Sequence, residues 1–169
     1  MRWLPMLLLA LGLANATEPD LPHLDLPRAR RSPVIDGRLD DPAWAGAAVI
    51  DSLRMPWWTS GAREGTRVRL AWDDTALYIA FQARDRHVSA TLTERDDPVS
   101  RDDCVEVFIA PDTANTSVYF NFEINARATV LDRSPRDART GAWNAGGLRV
   151  AIAVDGTLND DADEDRGWV

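Results

Sequence analysis

The chain contains no lysine, one cysteine and two histidines in its 169 residues. Every basic residue is an arginine, and the 19 arginines face 27 acidic residues for a formal net charge of -8. That balance argues against nucleic acid as a partner, because a phosphate backbone is held mainly by clustered cationic charge. The single cysteine, Cys104, excludes an intramolecular disulfide, and the reading is a small buried hydrophobe in a strand. A cysteine nucleophile needs a histidine base; only His23 and His87 exist, and His23 falls in a proline-rich leader. No long helical period runs through the chain. The apolar run at residues 4–13 is shorter than the roughly 20 residues a membrane-spanning helix needs.

That run has a different reading. One positive charge at Arg2 precedes it, and Ala14-Asn15-Ala16 follows it before a polar stretch. This is the layout of a secretory signal cleaved after Ala16. The expected product is periplasmic or extracellular, with no membrane partner once the signal is removed. Residues 17–31, "TEPDLPHLDLPRARR", are rich in proline and charge and read as a leader or linker. The remainder, residues 32–169, has the length of one domain, and the chain as a whole, 45% hydrophobic and 27% charged, has a globular composition.

Period-two patterning dominates that domain. In "TRVRLAWDDTALYIAFQARD", Val68, Leu70 and Trp72 alternate with Arg67, Arg69 and Ala71; Leu77, Ile79, Phe81 and Ala83 then alternate with Tyr78, Ala80, Gln82 and Arg84. Around Asp73-Asp74-Thr75 this predicts a β-hairpin with one buried face, Trp72 included. Further strands are predicted over about residues 103–110, 117–126 and 147–155, the last with Leu148, Val150, Ile152 and Val154 inward. Upstream, Val34-Ile35 reads as a short strand, Asp36-Gly37 as a turn, and Pro42 as the start of a helical turn that places Trp44 in the core. Short antiparallel strands joined by turns imply an all-β fold, an antiparallel β-sandwich. The chain stops as Gly167, Trp168 and Val169 would begin another strand, so the sandwich is expected to lack its last strands.

Polar groups interrupt the apolar strands. Glu106 lies in a run of Val105, Val107, Phe108 and Ile109 that otherwise reads as sheet interior. An unpaired buried carboxylate costs several kcal/mol or is driven neutral, so Glu106 faces solvent, meets a ligand, or pairs with an arginine such as Arg127 or Arg69. Tyr119, Asn121, Glu123 and Asn125 form a second outward series, equally consistent with a solvated sheet face. Three tryptophans sit in loops, where they could stack on sugar rings or anchor the loop: Trp57, Trp58 and Trp143. Adjacent Trp57 and Trp58 point to opposite sides of an extended segment, so at most one faces a given ligand. Glu106 and Glu123 on neighbouring strands could stand as close as a glycosidase pair, but a sandwich of this size offers little cleft for self-contained catalysis. The acidic clusters Asp73-Asp74, Asp96-Asp97, Asp102-Asp103 and "NDDADEDRG" are oxygen-rich enough for calcium, though none has EF-hand spacing.

The blocks "VIDGRLDDPAWAGA", "TRVRLAWDDTALYIAFQARD", "RDDCVEVFIAPD" and "YFNFEINA" in this order resemble the family 9 carbohydrate-binding modules and their DOMON-like relatives, over roughly residues 33–169. The resemblance implies a jelly-roll or DOMON-like sandwich that is not itself catalytic and serves a secreted glycoside hydrolase by holding it to a polysaccharide or oligosaccharide. It implies a sugar clasped by two tryptophans and assisted by a glutamate, an arginine and an asparagine, with calcium bracing the loops. Glu106 matches that glutamate and Asn125 that asparagine, whereas Glu123 stands where the sugar-binding members carry arginine and Ser100 near the first tryptophan. The expected function is therefore a secreted carbohydrate-binding module, with Glu106, Asn125, Glu123, Trp57, Trp58 and Trp143 as candidate contacts. The alternatives are an interaction or scaffold domain of an envelope protein without a sugar site, or the binding part of a larger O-glycosyl hydrolase. A haem-binding DOMON module is a further one, for which Met55 and His87 are the candidate axial pair.

Overall fold

The computed structural model describes residues 22–51, 53, 59–61, 63–136 and 143–169. The predicted signal, Met55, Trp57 and Trp58 lie outside the described residues. One turn of helix, α1 (Pro42–Ala45), starts on Pro42, whose missing N–H costs nothing at a helix start. It drops Trp44 onto Tyr78 and Ala80, leaving the indole 4% exposed. The strands follow: β1 (Ala48–Ile50), β2 (Thr66–Trp72), β3 (Leu77–Ala83), β4 (Cys104–Ile109), β5 (Phe120–Asn125), β6 (Val130–Arg133), β7 (Val154–Asp155) and β8 (Gly167–Trp168). They form a five-stranded sheet in the order β1-β2-β3-β8-β7 and a three-stranded sheet in the order β4-β5-β6, antiparallel throughout. The fold is all-β and sandwich-like, as the alternation implies.

The hairpin of β2 and β3 pairs in register from Thr66 opposite Ala83 to Trp72 opposite Leu77. Its turn is held by Asp73, whose carboxylate accepts the Thr75 and Ala76 N–H groups and the hydroxyls of Ser32, Thr75 and Tyr78. Those donors, with Ser32 foremost, hold the Asp73 carboxyl well below the usual carboxylate range. Two expectations change here. Both faces of the hairpin are covered rather than one, because α1 and Leu39 bury Ala71, Tyr78 and Ala80 on the side opposite Val68. Trp72 is not core: it is 40% exposed at the strand end, and its indole Nε1 donates to the Leu26 carbonyl at 2.9 Å. Part of the leader runs parallel to it, Trp72 N–H donating to Pro27 and Ala29 N–H to Trp72, while Arg28 pairs with Asp74.

Two other predicted segments differ, and one strand was not predicted. Val34-Ile35 is exposed and forms no strand, since the Val34 N–H is taken by the Asp41 carboxylate. The turn after it needs Gly37, at φ +80°, because a Cβ there would stand 2.7 Å from the Ala153 nitrogen. The strand predicted over residues 147–155 contracts to β7; Leu148 is exposed, and Ile152 and Val154 pack on the core. In exchange, β6 appears where the alternation gave no warning, paired with β5 from Asn121 opposite Arg133 to Ile124 opposite Val130.

The largest core cluster is Val88, Ala90, Ala126 and Trp168, with Ala83, Val105, Ile152, Val154 and Leu158 against it. A clasp of side chains closes the C-terminal loop over this cluster. Asp165 accepts the Val88 N–H at 2.8 Å and the Thr157 N–H at 2.7 Å, and Asn159 exchanges two hydrogen bonds with the Ala90 backbone. The two backbone donors depress the Asp165 pKa. Gly156, at φ +151°, lets the chain pass this carboxylate, since a Cβ would fall 1.9 Å from its Oδ1.

Candidate carbohydrate-binding face

The three-stranded sheet has two chemically different sides. Pairing of Glu106 with Glu123, Phe108 with Asn121, Cys104 with Asn125 and Asn121 with Arg133 puts all of these on one side. Val105, Val107 and Ile109 therefore face the other way, with Phe120, Phe122 and Ile124. Trp143 belongs to that inner side, its ring 5.4 Å from Phe120 and 6.2 Å from Phe122 between centroids. It anchors its loop against the sheet and is half-buried. Phe108, which hydrophobicity groups with its apolar neighbours, points outward with Glu106, because strict alternation overrides hydrophobicity at that position.

The outer side divides into a covered and an open half. Residues 91–102, including a 3-10 turn at Val99–Arg101, fold over the covered half. Asn125 is 0% exposed beneath them. Its amide donates to the Leu92 carbonyl and to Asp102, and its oxygen accepts the Arg127 and Thr129 N–H groups. With two donors and two lone pairs engaged, Asn125 has no hydrogen-bonding capacity left for a ligand. Burial works to raise the pKa of Asp102, but hydrogen bonds from the Leu92 and Thr91 backbone and from Asn125 and Thr91 side chains outweigh it, and the pKa is lowered. Cys104 lies half-buried beside Asn125; burial, then Glu123 and Glu106, push its thiol up to about 11, so it stays protonated and unreactive near neutral pH.

The open half carries an exposed aromatic pair and the exposed Glu106, with Glu123 half-buried and Asn121 buried beside it. Phe108 is 56% and Tyr119 42% exposed, their rings edge to face at 5.1 Å. Beside them the Asn121 amide donates to Glu106 Oε1 at 2.7 Å. This is the partner Glu106 has, in place of an arginine: Arg127 donates to the Ala90 carbonyl, and Arg69 belongs to β2 in the other sheet. Glu123 is half-buried opposite Glu106; burial first, and the Glu106 charge second, raise its pKa, although Arg133 and Ser100 act in the opposite sense. Exposed rings offer apolar faces to the C–H side of a pyranose, and an oriented carboxylate can meet its hydroxyls. The structure thus brings Glu106 and Glu123 together and keeps Asn125 and Trp143 apart from them. Phe108 and Tyr119 were not singled out as stacking groups from sequence, although their strict alternation with Val107 and Phe120 was the available signal.

Several members of the acidic clusters are engaged by the chain's own donors, whereas Asp96 Oδ1 is buried without a partner. Asp97 accepts the Glu94 N–H, Asp103 that of Ser89, and Asp163 the Thr157 hydroxyl. Among the described residues no three His, Cys, Asp or Glu side chains converge as a metal site. His87 is exposed.

A two-layer β-fold with an aromatic and carboxylate face defines a class of ligand-binding sandwich domains. Residues 35–158 match the family described as carbohydrate family 9 binding domain-like, and the chain belongs to that family. Membership supports carbohydrate binding. No curated protein and no solved structure matches the chain.

Proposed function

We propose that the chain is a secreted, non-catalytic carbohydrate-binding module that holds a polysaccharide or oligosaccharide on the open outer half of the β4-β5-β6 sheet. The observation that carries this reading is the exposed Phe108–Tyr119 pair set directly beside Glu106, Asn121 and Glu123. A ring stacks on Phe108, and Glu106 and Glu123 accept from its hydroxyls. Export rests on the signal-like residues 1–16, and N-terminal sequencing of the exported protein should begin at Thr17. Association with a glycoside hydrolase would place this face next to the substrate of an attached catalytic domain.

The test is calorimetry or affinity electrophoresis of the mature protein against xylan, cellulose and short oligosaccharides. Binding is expected, and Glu106→Ala should weaken it about tenfold, the loss of one charged hydrogen-bond acceptor. A folded protein that binds no glycan sinks the reading and leaves a scaffold domain in its place.

A further inference from the structure

Glu106 and Glu123 stand directly opposite each other across β4 and β5. Side chains so placed have Cβ atoms about 4.5–5.5 Å apart, and like charges there repel. Among the described residues no ion pair engages either carboxylate; Arg133 acts on Glu123 only through its field. Asn121 is committed to Glu106 Oε1 and Ser100 to Glu123, while Glu123 Oε2 is buried with no hydrogen-bond partner. The face therefore offers acceptors and π-surface in excess and is short of donors.

We propose that the glycan held at this face carries a protonated amino group, as in glucosamine-type units, seated between Glu106 and Glu123 with the sugar ring against Phe108. This rests on the sugar-binding reading above and adds the charge of the ligand. An ammonium brings three donors, enough to bridge both carboxylates, and it removes the repulsion between them. The exposed aromatic faces of Phe108 and Tyr119 add cation–π attraction, which favours an organic cation. A hydroxyl supplies one donor and leaves the carboxylates repelling each other. Calcium takes about 6–8 oxygen ligands, and this pair supplies two carboxylates without a third acidic residue.

The experiment is calorimetry of the full mature chain at about pH 6, where an amino sugar is charged. The probes are a glucosamine oligomer, its fully N-acetylated counterpart and a cello-oligosaccharide of equal length, each with and without chelator. The glucosamine oligomer is expected to bind about tenfold more tightly than the other two. Glu123→Gln should bring that ratio close to one, whereas Asp161→Asn, an exposed residue of the C-terminal loop, should leave it in place. Equal affinity for all three oligomers overturns the amino-glycan inference while the sugar-binding reading survives. A ratio that falls equally in Asp161→Asn assigns it to the net negative charge and overturns the inference as well. Binding abolished by chelator makes the cation a metal and likewise overturns it. Absence of binding to every oligomer overturns both readings.

Discussion

The covered and open halves of one sheet face are built from the same strands and the same alternation, yet they have opposite chemical fates. Asn125 and Glu123 are two residues apart on β5 and point the same way. Asn125 lies under residues 91–102 with every hydrogen-bonding position taken by the chain itself. Glu123, at the border, keeps a buried oxygen without a donor, and beyond it Phe108 and Tyr119 are exposed. A polar residue on a strand is thus a structural brace or a ligand contact according to whether a loop crosses it. Side-chain period determines the face, and the covering loop determines the role.

Substitutions on either side of that border should separate stability from binding. The largest effect is expected for Asn125→Ala. It deletes four hydrogen bonds and strands the Arg127 and Thr129 N–H groups, while the Leu92 carbonyl keeps only the Thr129 hydroxyl, a loss of roughly 3 kcal/mol. In a domain of this size that lowers Tm by about 10 °C, measurable by calorimetry, while glycan affinity of the folded protein persists. An unchanged Tm would erase the distinction between the halves. Phe108→Ala should do the reverse, weakening glycan binding about tenfold and altering stability by less than about 0.5 kcal/mol, as an exposed side chain does.

The smallest effect concerns Glu123 and pH. Its folded-state pKa is raised, so the folded state holds this proton more tightly than the unfolded chain. The carboxylate costs nothing below the unfolded pKa of about 4.3. Its destabilisation grows as pH rises from there through the raised folded value and is complete above it. Glu123→Gln should therefore raise Tm slightly at neutral pH, by about 1 °C, and leave it unchanged at about pH 3. A lower Tm at neutral pH would mean that the carboxylate is paired and the border misplaced.

Much of the fold was legible because local patterns are enforced by local physics. The β2–β3 hairpin and the turn at Asp73 follow from residues near one another in the chain. What was not legible depends on distant partners. Trp72 has the strand period of a core residue, but its neighbour is the leader 46 positions earlier. Strand β6 is four residues long and contains Asp132, which is buried and paired with Arg95, 37 positions away. The candidate site was half legible: Glu106 and Glu123 meet as neighbouring strands require, whereas the loop that removes Asn125 from solvent reaches it through contacts 23 and 33 positions distant. Phe108 was misplaced by its hydrophobicity although its position in the alternation was plain.

The clasp of Asp165 on Val88 joins residues 77 positions apart, and its consequence is kinetic. The hairpins of both sheets can form from neighbouring segments, but this contact requires a long loop to close first, at an entropic cost that local pairings avoid. It is therefore made late, together with the β3–β8 pairing and after the β2–β3 and β4–β5 hairpins exist to receive it. By the same reasoning the C-terminal loop is expected to detach first, opening the Trp168 side of the core while the candidate binding face, on the other sheet, stays assembled.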